Sequence, residues 1–281
     1  MEALPLLTAM FAAFLIAPAA LRMLADGSLA RENYRGRVLA CPLGLVVVAA
    51  ALCALVPLAV AQEAAGGVLP PELGWIAVYV LGVACVGLAD DALADPARGL
   101  RGHAAAVIRG EFSTGALKAV GSAGLALYVM TQPGGGTGHA ARFLLGAAVL
   151  VLATNAFNLL DLRPGRAFKA FVVLGAGLTL GSGDLLPLWA VGLFVGPVLV
   201  VGFYDVRELG LLGDTGANVV GALAGVWLVL TLSDVGLAAA VLVLGAVTAY
   251  GEFRSISELV ERTPGLRHLD SWGRPRDDAS V

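Results

Sequence analysis

The sequence predicts an all-α fold: a polytopic helical membrane protein with about nine transmembrane helices. Of its 281 residues, 58% are hydrophobic and only 14% are charged, whereas charged residues make up about a quarter of an ordinary soluble domain. Apolar runs recur along the chain at the roughly 20-residue length that a helix needs to cross the hydrocarbon core of a bilayer. We therefore expect the lipid bilayer as a partner and no nucleic acid.

Nine apolar runs are the predicted spans. They lie at residues 3–24, 43–62, 73–89, 115–131, 141–160, 168–182, 185–204, 215–232 and 235–251. The first run does not have the pattern of a cleavable signal peptide, because Glu2 stands where a basic segment would and the arginines follow the run. We therefore expect one integral-membrane domain over residues 1–251. Residues 252–281 form a predicted tail on the membrane surface, with a short helix that begins at the capping box Ser255 to Glu258 and ends before Pro264.

The basic residues predict the orientation. If the N-terminus faces outward, all of the 18 lysines and arginines except Arg142 fall in the connections on one side or in the tail. Connections rich in Lys and Arg stay in the cytoplasm. We therefore expect the N-terminus outside and the C-terminus in the cytoplasm, with any chemistry at the cytoplasmic face, where the longer polar connections lie.

The first acidic motif at this face is the pair Asp90 and Asp91, at the inner end of the third span. Adjacent carboxylates repel each other and are costly near lipid, so either water or a cation must compensate them. Taken alone, the pair is also what solvated boundary charge looks like.

The second motif is NAFNLLDLRPGR, residues 155–166. Its spacing places Asn155, Asn158 and Asp161 on one helix face, within about 120° and over a rise of about 9 Å. An unpaired amide inside an apolar run costs roughly 1–3 kcal/mol, so this face either serves a site or forms hydrogen bonds to another helix. Arg163 and Arg166 follow directly and predict a fork for a phosphate group.

The third motif is GDTGANVVG, residues 213–221, just before the eighth span. Asp214 or Thr215 can serve as the helix cap. The same geometry lets the Asp214 carboxylate face Mg²⁺ while the N–H groups of the helix N-terminus receive a phosphate, with Gly213 and Gly216 allowing close approach.

The three motifs together predict a divalent-metal phosphate site. They fall at the inner ends of different spans, close to several arginines, and hard oxygen ligands combined with guanidinium groups suit a metal-bound phosphate. The arginines are Arg35, Arg37, Arg98, Arg101 and Arg163.

In this combination and order the sequence resembles the polyprenyl-phosphate N-acetylhexosamine-1-phosphate transferase family, the MraY/WecA type that starts bacterial cell-wall and envelope glycan synthesis. The matching segments are NYRGRVLACPLGL (33–45), GLADD (87–91), NAFNLLD (155–161) and GDTGANVVG (213–221). Each motif is weak alone, and the combination is specific.

The resemblance implies transfer of a sugar-1-phosphate from a UDP-sugar to undecaprenyl phosphate, with release of UMP, at the cytoplasmic face of the bacterial inner membrane. It implies Mg²⁺, or Mn²⁺, held by Asn158 and Asp214, and a possible homodimer. The catalytic residues it implies are Asp90, Asp91, Asp161 and Asp214. The substrate-binding residues it implies are Arg35, Arg37, Arg98, Arg101, His103, Asn155, Arg163, Arg166, Gly213 and Gly216.

Two features depart from the family pattern. Pro164 replaces the second acidic residue of the usual DGxDG continuation, and the late His-rich loop, typically HxHH, has no equivalent. The tail holds only His268. His103 is a candidate to supply a missing imidazole, although a solvated loop histidine is the more common case.

Other functions remain open at this point. An intramembrane prenyltransferase would carry NDxxD or DxxxD spacings, which the motifs here fit poorly. A CDP-alcohol phosphotransferase would carry a DGxxAR run, which is absent. A lipid-phosphate carrier or transporter, or a non-catalytic homologue that only binds polyprenyl phosphate, is the remaining alternative. A transporter would place charges near the bilayer midplane, and these charges fall at its inner edge.

Overall fold

A computed structural model describes residues 1–93, 108–110, 113–136 and 138–275. Within these residues the chain is helical apart from turns and a two-stranded ribbon of Arg31–Glu32 (β1) and Val38–Leu39 (β2). The helices are α1 (Leu4–Ala25), α2 (Gly44–Ala65), α3 (Leu73–Leu93), α4 (Thr114–Met130), α5 (Ala140–Leu160), α6 (Arg166–Ser182), α7 (Leu186–Ala190), α8 (Gly192–Val206), α9 (Gly213–Thr231), α10 (Asp234–Phe253), α11 (Ile256–Arg262) and α12 (Pro264–Ser271).

The all-α polytopic membrane fold is confirmed. Each predicted span falls on helical structure, and the seventh is divided into α7 and α8 at Val191. Within the described residues, six helices are long and apolar enough to cross a bilayer, namely α1, α2, α3, α5, α9 and α10. Helices α4 and α8 are apolar but shorter.

Helix α9 lies at the centre of the bundle, with most of its residues buried. Its small residues allow neighbouring helices to approach closely, as is common in membrane proteins. A Cβ atom at Gly221 would lie 2.7 Å from the Cα of Thr154 in α5, and one at Gly225 would lie 3.1 Å from the Cα of Leu150. The sequence of α9 therefore fixes where α5 runs, and with it the residues at the end of α5.

The tightest approach to α9 is made by Gly44, the first residue of α2. A Cβ at Gly44 would lie 2.3 Å from the backbone nitrogen of Gly216. Gly44→Ala is therefore expected to push α2 away from α9 and to destabilise the fold by about 2 kcal/mol, measured by thermal unfolding in detergent. The matched control is Gly74→Ala near the start of α3, where a Cβ meets nothing within 4 Å. Equal unfolding temperatures for the two variants would contradict this packing.

Within the described residues, charged side chains line a cavity at each of the two ends of the bundle. One end carries β1 and β2, the ends of α3, α5 and α8, the start of α9 and the tail. The opposite end carries Glu2, Glu72 and Asp184 around a cavity of about 510 Å³. We call the first of these the predicted cytoplasmic end.

The first connection at the predicted cytoplasmic end is tied to the connection before α9. The N–H of Leu43 donates to the carbonyl of Leu211 at 2.8 Å, and the N–H of Leu211 donates to the carbonyl of Ala40 at 2.8 Å. This pairing carries β1 and β2 over the ends of α5, α8 and α9. Residues far apart in sequence therefore line one space.

The tail contains two short helices. The N–H of Glu258 donates to the Ser255 hydroxyl, which confirms the predicted cap of α11. Pro264 does not only follow the end of α11, as the sequence predicted, but also begins α12. Leu266, Leu269 and Trp272 are exposed, so α12 presents an apolar face at the surface while its other side packs on the bundle.

Candidate functional site

A cavity of about 290 Å³ opens at the predicted cytoplasmic end. Three parts of the chain form it: the first connection, the end of α5 with the loop after it, and the residues around the start of α9. The polar and charged residues that line it are Arg31, Glu32, Asn33, Tyr34, Asn158, Asp161, Arg163, Asp205 and Asp214. Five of the residues that the sequence predicted as site residues therefore share this cavity: Asn158, Asp161, Arg163, Gly213 and Asp214.

Asn158 and Asp161 reach the cavity because α5 ends there. Asp161 is the C-cap residue, and its N–H donates to the carbonyls of Phe157 and Asn158. Within the described residues, the side chains of Asn158 and Asp161 form no hydrogen bond with protein groups. Burial raises the pKa of Asp161, and the nearby carboxylates, Asp205 first among them, raise it further. This wall of the cavity therefore holds acceptor oxygens close to several other carboxyl groups.

The raised pKa of Asp161 predicts how Asp161→Asn changes the stability of the protein. An acid whose pKa is raised in the folded state holds its proton more tightly there than in the unfolded chain. Stability is therefore lost as the pH rises from the ordinary Asp value of about 3.9 through the raised folded value. We expect Asp161→Asn to unfold at a higher temperature than the wild type at about pH 7.5, and the difference to shrink as the pH falls toward 4.

The control for this prediction is Asp26→Asn, because Asp26 is an exposed acid just after α1. Removing a solvated charge there should leave thermal stability unchanged across the same pH range. A less stable Asp161→Asn protein at about pH 7.5 would show that the Asp161 carboxylate is compensated in the free protein.

Asp214 is joined to Asp90 by Lys118, from the first turn of α4. The Lys118 ammonium lies 2.6 Å from Oδ1 of Asp214 and 3.4 Å from Oδ2 of Asp90. Asp90 does not line the cavity itself, so the structure connects it to the site through Lys118. The sequence prediction did not include Lys118 among the site residues. The sequence did offer one signal. Lys118 lies near the start of a predicted span, and the chain contains one other lysine, Lys169.

Asp91, which was predicted as a catalytic residue, forms a helix cap in the structure. Its carboxylate is buried and accepts hydrogen bonds from the N–H groups of Asp214 and Thr215, at 3.0 and 2.8 Å, and from the Thr215 hydroxyl at 2.7 Å. It therefore caps α9 from another helix, a role that the sequence suggested for Asp214 or Thr215 themselves. Arg31 donates to the Asp91 carbonyl at 2.7 Å, which ties the first connection to the same point.

The cap also bears on Gly213 and Gly216, which were predicted to bind substrate. The N–H groups of Asp214 and Thr215 already donate to Asp91, and that of Gly216 donates to the Leu212 carbonyl. These three N–H groups therefore have acceptors within the protein. Gly213 has a φ of 68°, and a Cβ there would lie 2.7 Å from Pro42. The two glycines therefore permit a turn and a close approach.

Asn155 and Arg166, which were predicted to bind substrate, also lie outside the cavity lining. The Asn155 amide donates to the Thr248 hydroxyl in α10 at 3.3 Å, which is the interhelical alternative. Arg166 is buried and pairs with Asp270 of the tail. Both side chains already have protein partners because each faces a neighbouring element rather than the cavity.

Three guanidinium groups surround the ring of Tyr34 at the cavity. Those of Arg35, Arg163 and Arg274 lie 5.2, 5.1 and 5.9 Å from its centroid. Arg163 lines the cavity and pairs with Glu261, whereas Arg35 pairs with Glu208 at 3.4 Å and is not among the lining residues. Of the two arginines, Arg163 is thus the one at the cavity surface, and it could contact a bound anion by exchanging Glu261 for it.

Arg37 does not line the cavity. The Arg37 side chain is exposed at the ribbon turn. Arg98, Arg101 and His103 lie outside the described residues, so the structure gives no position for them.

Asp205 and Glu208 are buried acids that the sequence prediction missed. Asp205 accepts from the N–H of Gly165 at 2.7 Å and so holds the loop after α5. Glu208 accepts from the Tyr34 hydroxyl at 3.1 Å and so holds the first connection. The sequence does show these two acids just after an apolar run, but it does not indicate which loops their carboxylates bind.

Cys41 lines the cavity but is not a nucleophile at neutral pH. Burial raises the pKa of its thiol to about 12, with a smaller contribution from Asp91. The reactive form of cysteine is the thiolate. The Cys41 thiol therefore stays protonated at neutral pH, which disfavours covalent catalysis by this residue.

The oxygen donors of the cavity decide how well it fits Mg²⁺. In the described part of the chain no group of three or more His, Cys, Asp or Glu side chains is placed to hold a metal ion. Mg²⁺ is usually bound by only one or two carboxylates together with substrate phosphates. Asp161 and Asn158 supply oxygens that form no hydrogen bond within the described residues, and Asp214 supplies one more if Lys118 gives way. The donor set fits a metal that arrives with a diphosphate.

Comparison with known proteins identifies no family. No protein-family model matches the chain, and no curated protein matches it significantly. The fold and the site define a polytopic helical membrane protein with a polar, acid-rich cavity at one end of its bundle.

Proposed function

We propose that the protein transfers a sugar-1-phosphate, N-acetylhexosamine-1-phosphate in the first instance, from a UDP-sugar to undecaprenyl phosphate at the cytoplasmic face of a bacterial inner membrane. The observation that carries the proposal is the cavity itself. It joins the oxygens of Asn158, Asp161 and Asp214 to the guanidinium group of Arg163, at the end of a membrane bundle. Oxygen donors beside a guanidinium suit a metal-bound diphosphate.

The reaction exchanges one phosphoanhydride for another. An oxygen of the lipid phosphate attacks the phosphorus that carries the sugar, a new P–O bond forms, and the bond to UMP breaks. UMP leaves with the electron pair of that bond. A phosphate monoester has its second pKa near about 6 and is already mostly dianionic at neutral pH, so no base has to remove a proton from the nucleophile.

The residues of the cavity position the reactants and balance charge, which is most of the work in phosphoryl transfer. Arg163 and Arg31 are placed to bind phosphate oxygens. Asp161, Asn158 and Asp214 would hold Mg²⁺, which neutralises the charge on the diphosphate when it is bound. Lys118 positions the Asp214 carboxylate and links it to Asp90.

A second candidate function is binding of a polyprenyl phosphate without turnover. The pairing of Lys118 with Asp214 favours it, because the Asp214 carboxylate already has a cation beside it. In that case the cavity would hold the lipid phosphate against Arg163 and would need no nucleotide-sugar.

The experiment that tests the proposal uses purified protein in detergent with Mg²⁺, undecaprenyl phosphate and a panel of UDP-sugars labelled in the sugar. We expect label in the lipid extract and an equal amount of UMP. Binding of undecaprenyl phosphate with no lipid-linked label across the panel would overturn the transferase proposal and support the second candidate.

A further inference from the structure

The C-terminal tail, residues 255–275, is joined to the bundle by an extensive polar network. Asp270 is its centre. Arg166 donates to the two Asp270 oxygens at 2.9 and 3.2 Å, and Arg274 donates to them at 3.0 and 2.8 Å. Lys169 donates to the Asp270 carbonyl at 2.6 Å, and Arg166 also reaches the Ser257 hydroxyl at 3.1 Å.

These ion pairs differ from ordinary surface pairs because they are buried and bidentate. The side chains of Arg166, Asp270 and Arg274 are each only 6–7% exposed. Burial alone would raise the pKa of Asp270, but the hydrogen bonds from Arg166 and Arg274 outweigh it and hold that pKa below its ordinary value. Asp270 is therefore ionised at neutral pH and holds both arginines.

The network acts on the loop that forms one wall of the cavity. Arg274 donates to the Pro164 carbonyl at 2.9 Å, and Arg163 pairs with Glu261 of α11. From the bundle side the same loop is held by the hydrogen bond from Gly165 to Asp205. The loop carrying Asp161 and Arg163 is therefore clamped between Asp205 below and the tail above.

We propose that the tail is a working part of the ligand site, with Asp270 as a positioning residue that fixes the loop of residues 161–165 for binding of a diphosphate. The inference rests on the proposed function for the identity of the ligand. It adds that the tail, which the sequence suggested only as a surface anchor, sets the affinity of the cavity. Asp270 does not touch the ligand but acts through Arg274 and Arg166.

The test uses the full chain in detergent and compares Asp270→Asn and Asp270→Glu with the wild type. The matched control is Glu258→Gln, also in the tail, whose carboxylate pairs with Arg262 of the same helix. Hydrogen exchange reports the tail and residues 161–165, and calorimetry with UDP-N-acetylglucosamine and Mg²⁺ reports affinity. Arg274→Gln provides a second variant that removes the bond to Pro164 and leaves Arg166 paired with Asp270.

For Asp270→Asn and Arg274→Gln we expect faster exchange at residues 161–165 and binding weaker by about tenfold, the order of loss that a displaced positioning contact produces. The KM should rise more than kcat falls, Asp270→Glu should recover part of the affinity, and Glu258→Gln should match the wild type. Faster exchange confined to the tail, with residues 161–165 and affinity unchanged, would overturn the proposal.

The outcomes separate this inference from the proposed function. A wild type that binds no nucleotide-sugar would count against the proposed function, while exchange at residues 161–165 in the variants would still decide whether the tail positions the loop. Unchanged exchange at that loop in both Asp270→Asn and Arg274→Gln would overturn the positioning role for any ligand.

Discussion

Asp91→Ala is expected to destabilise the protein by about 3 kcal/mol and to sharply reduce the yield of folded material. Asp91 receives both N–H groups that begin α9 and the Thr215 hydroxyl. Without it these donors are left largely buried and unpaired at the start of the central helix, and Arg31 loses a nearby carboxylate. Thermal unfolding in detergent and the monodisperse fraction on size exclusion measure the loss.

Two further variants provide a conservative substitution and a control. Asp91→Asn keeps an acceptor oxygen and should lose less stability than Asp91→Ala. Asp26→Ala removes an exposed acid just after α1 and should be neutral. An Asp91→Ala protein as stable as the wild type would mean that Asp91 is not the cap of α9, and the catalytic role first predicted for it would then stand again.

Asp214→Ala is expected to abolish turnover, by at least about 10³-fold, and to leave the fold intact. Although Asp214 directly precedes Thr215, it contributes only its backbone N–H to the Asp91 cap. Its side chain is about a quarter exposed, faces the cavity and pairs with Lys118. Removing it takes away a cavity carboxylate without breaking the cap. The lipid-product assay measures turnover, and thermal unfolding verifies the fold.

The two substitutions are thus predicted to affect different properties of the protein. Asp91→Ala should lower its stability, whereas Asp214→Ala should lower only its activity. Asp214→Ala with wild-type turnover would remove this carboxylate from the mechanism and leave Asp161 as the main acid of the cavity.

The spans and their charge distribution were predictable from the sequence because each depends on local composition. An apolar run of suitable length becomes a helix in lipid wherever it occurs. The end of α5 was predicted for the same reason, since Asn158 and Asp161 share a helix face by spacing alone. That part of the site required no knowledge of distant contacts.

The roles within the acidic motifs were not predictable in this way. The cap of α9 comes from Asp91, which is 123 residues away in sequence from the N–H of Asp214 that it binds. A Gly-flanked Asp before a helix is compatible with capping, metal binding or both, and only the packing of α3 against α9 decides. For the same reason Arg166, which read as part of a phosphate fork, proves to be the partner of Asp270.

The most direct test of the proposed site is a structure of the protein with UDP-N-acetylglucosamine and Mg²⁺. We expect the diphosphate to lie in the cavity between the first connection and the loop after α5, in contact with Arg163. The metal should bind oxygens from among Asn158, Asp161 and Asp214. A nucleotide-sugar bound elsewhere, with the cavity empty and Asp214 still paired with Lys118, would contradict it.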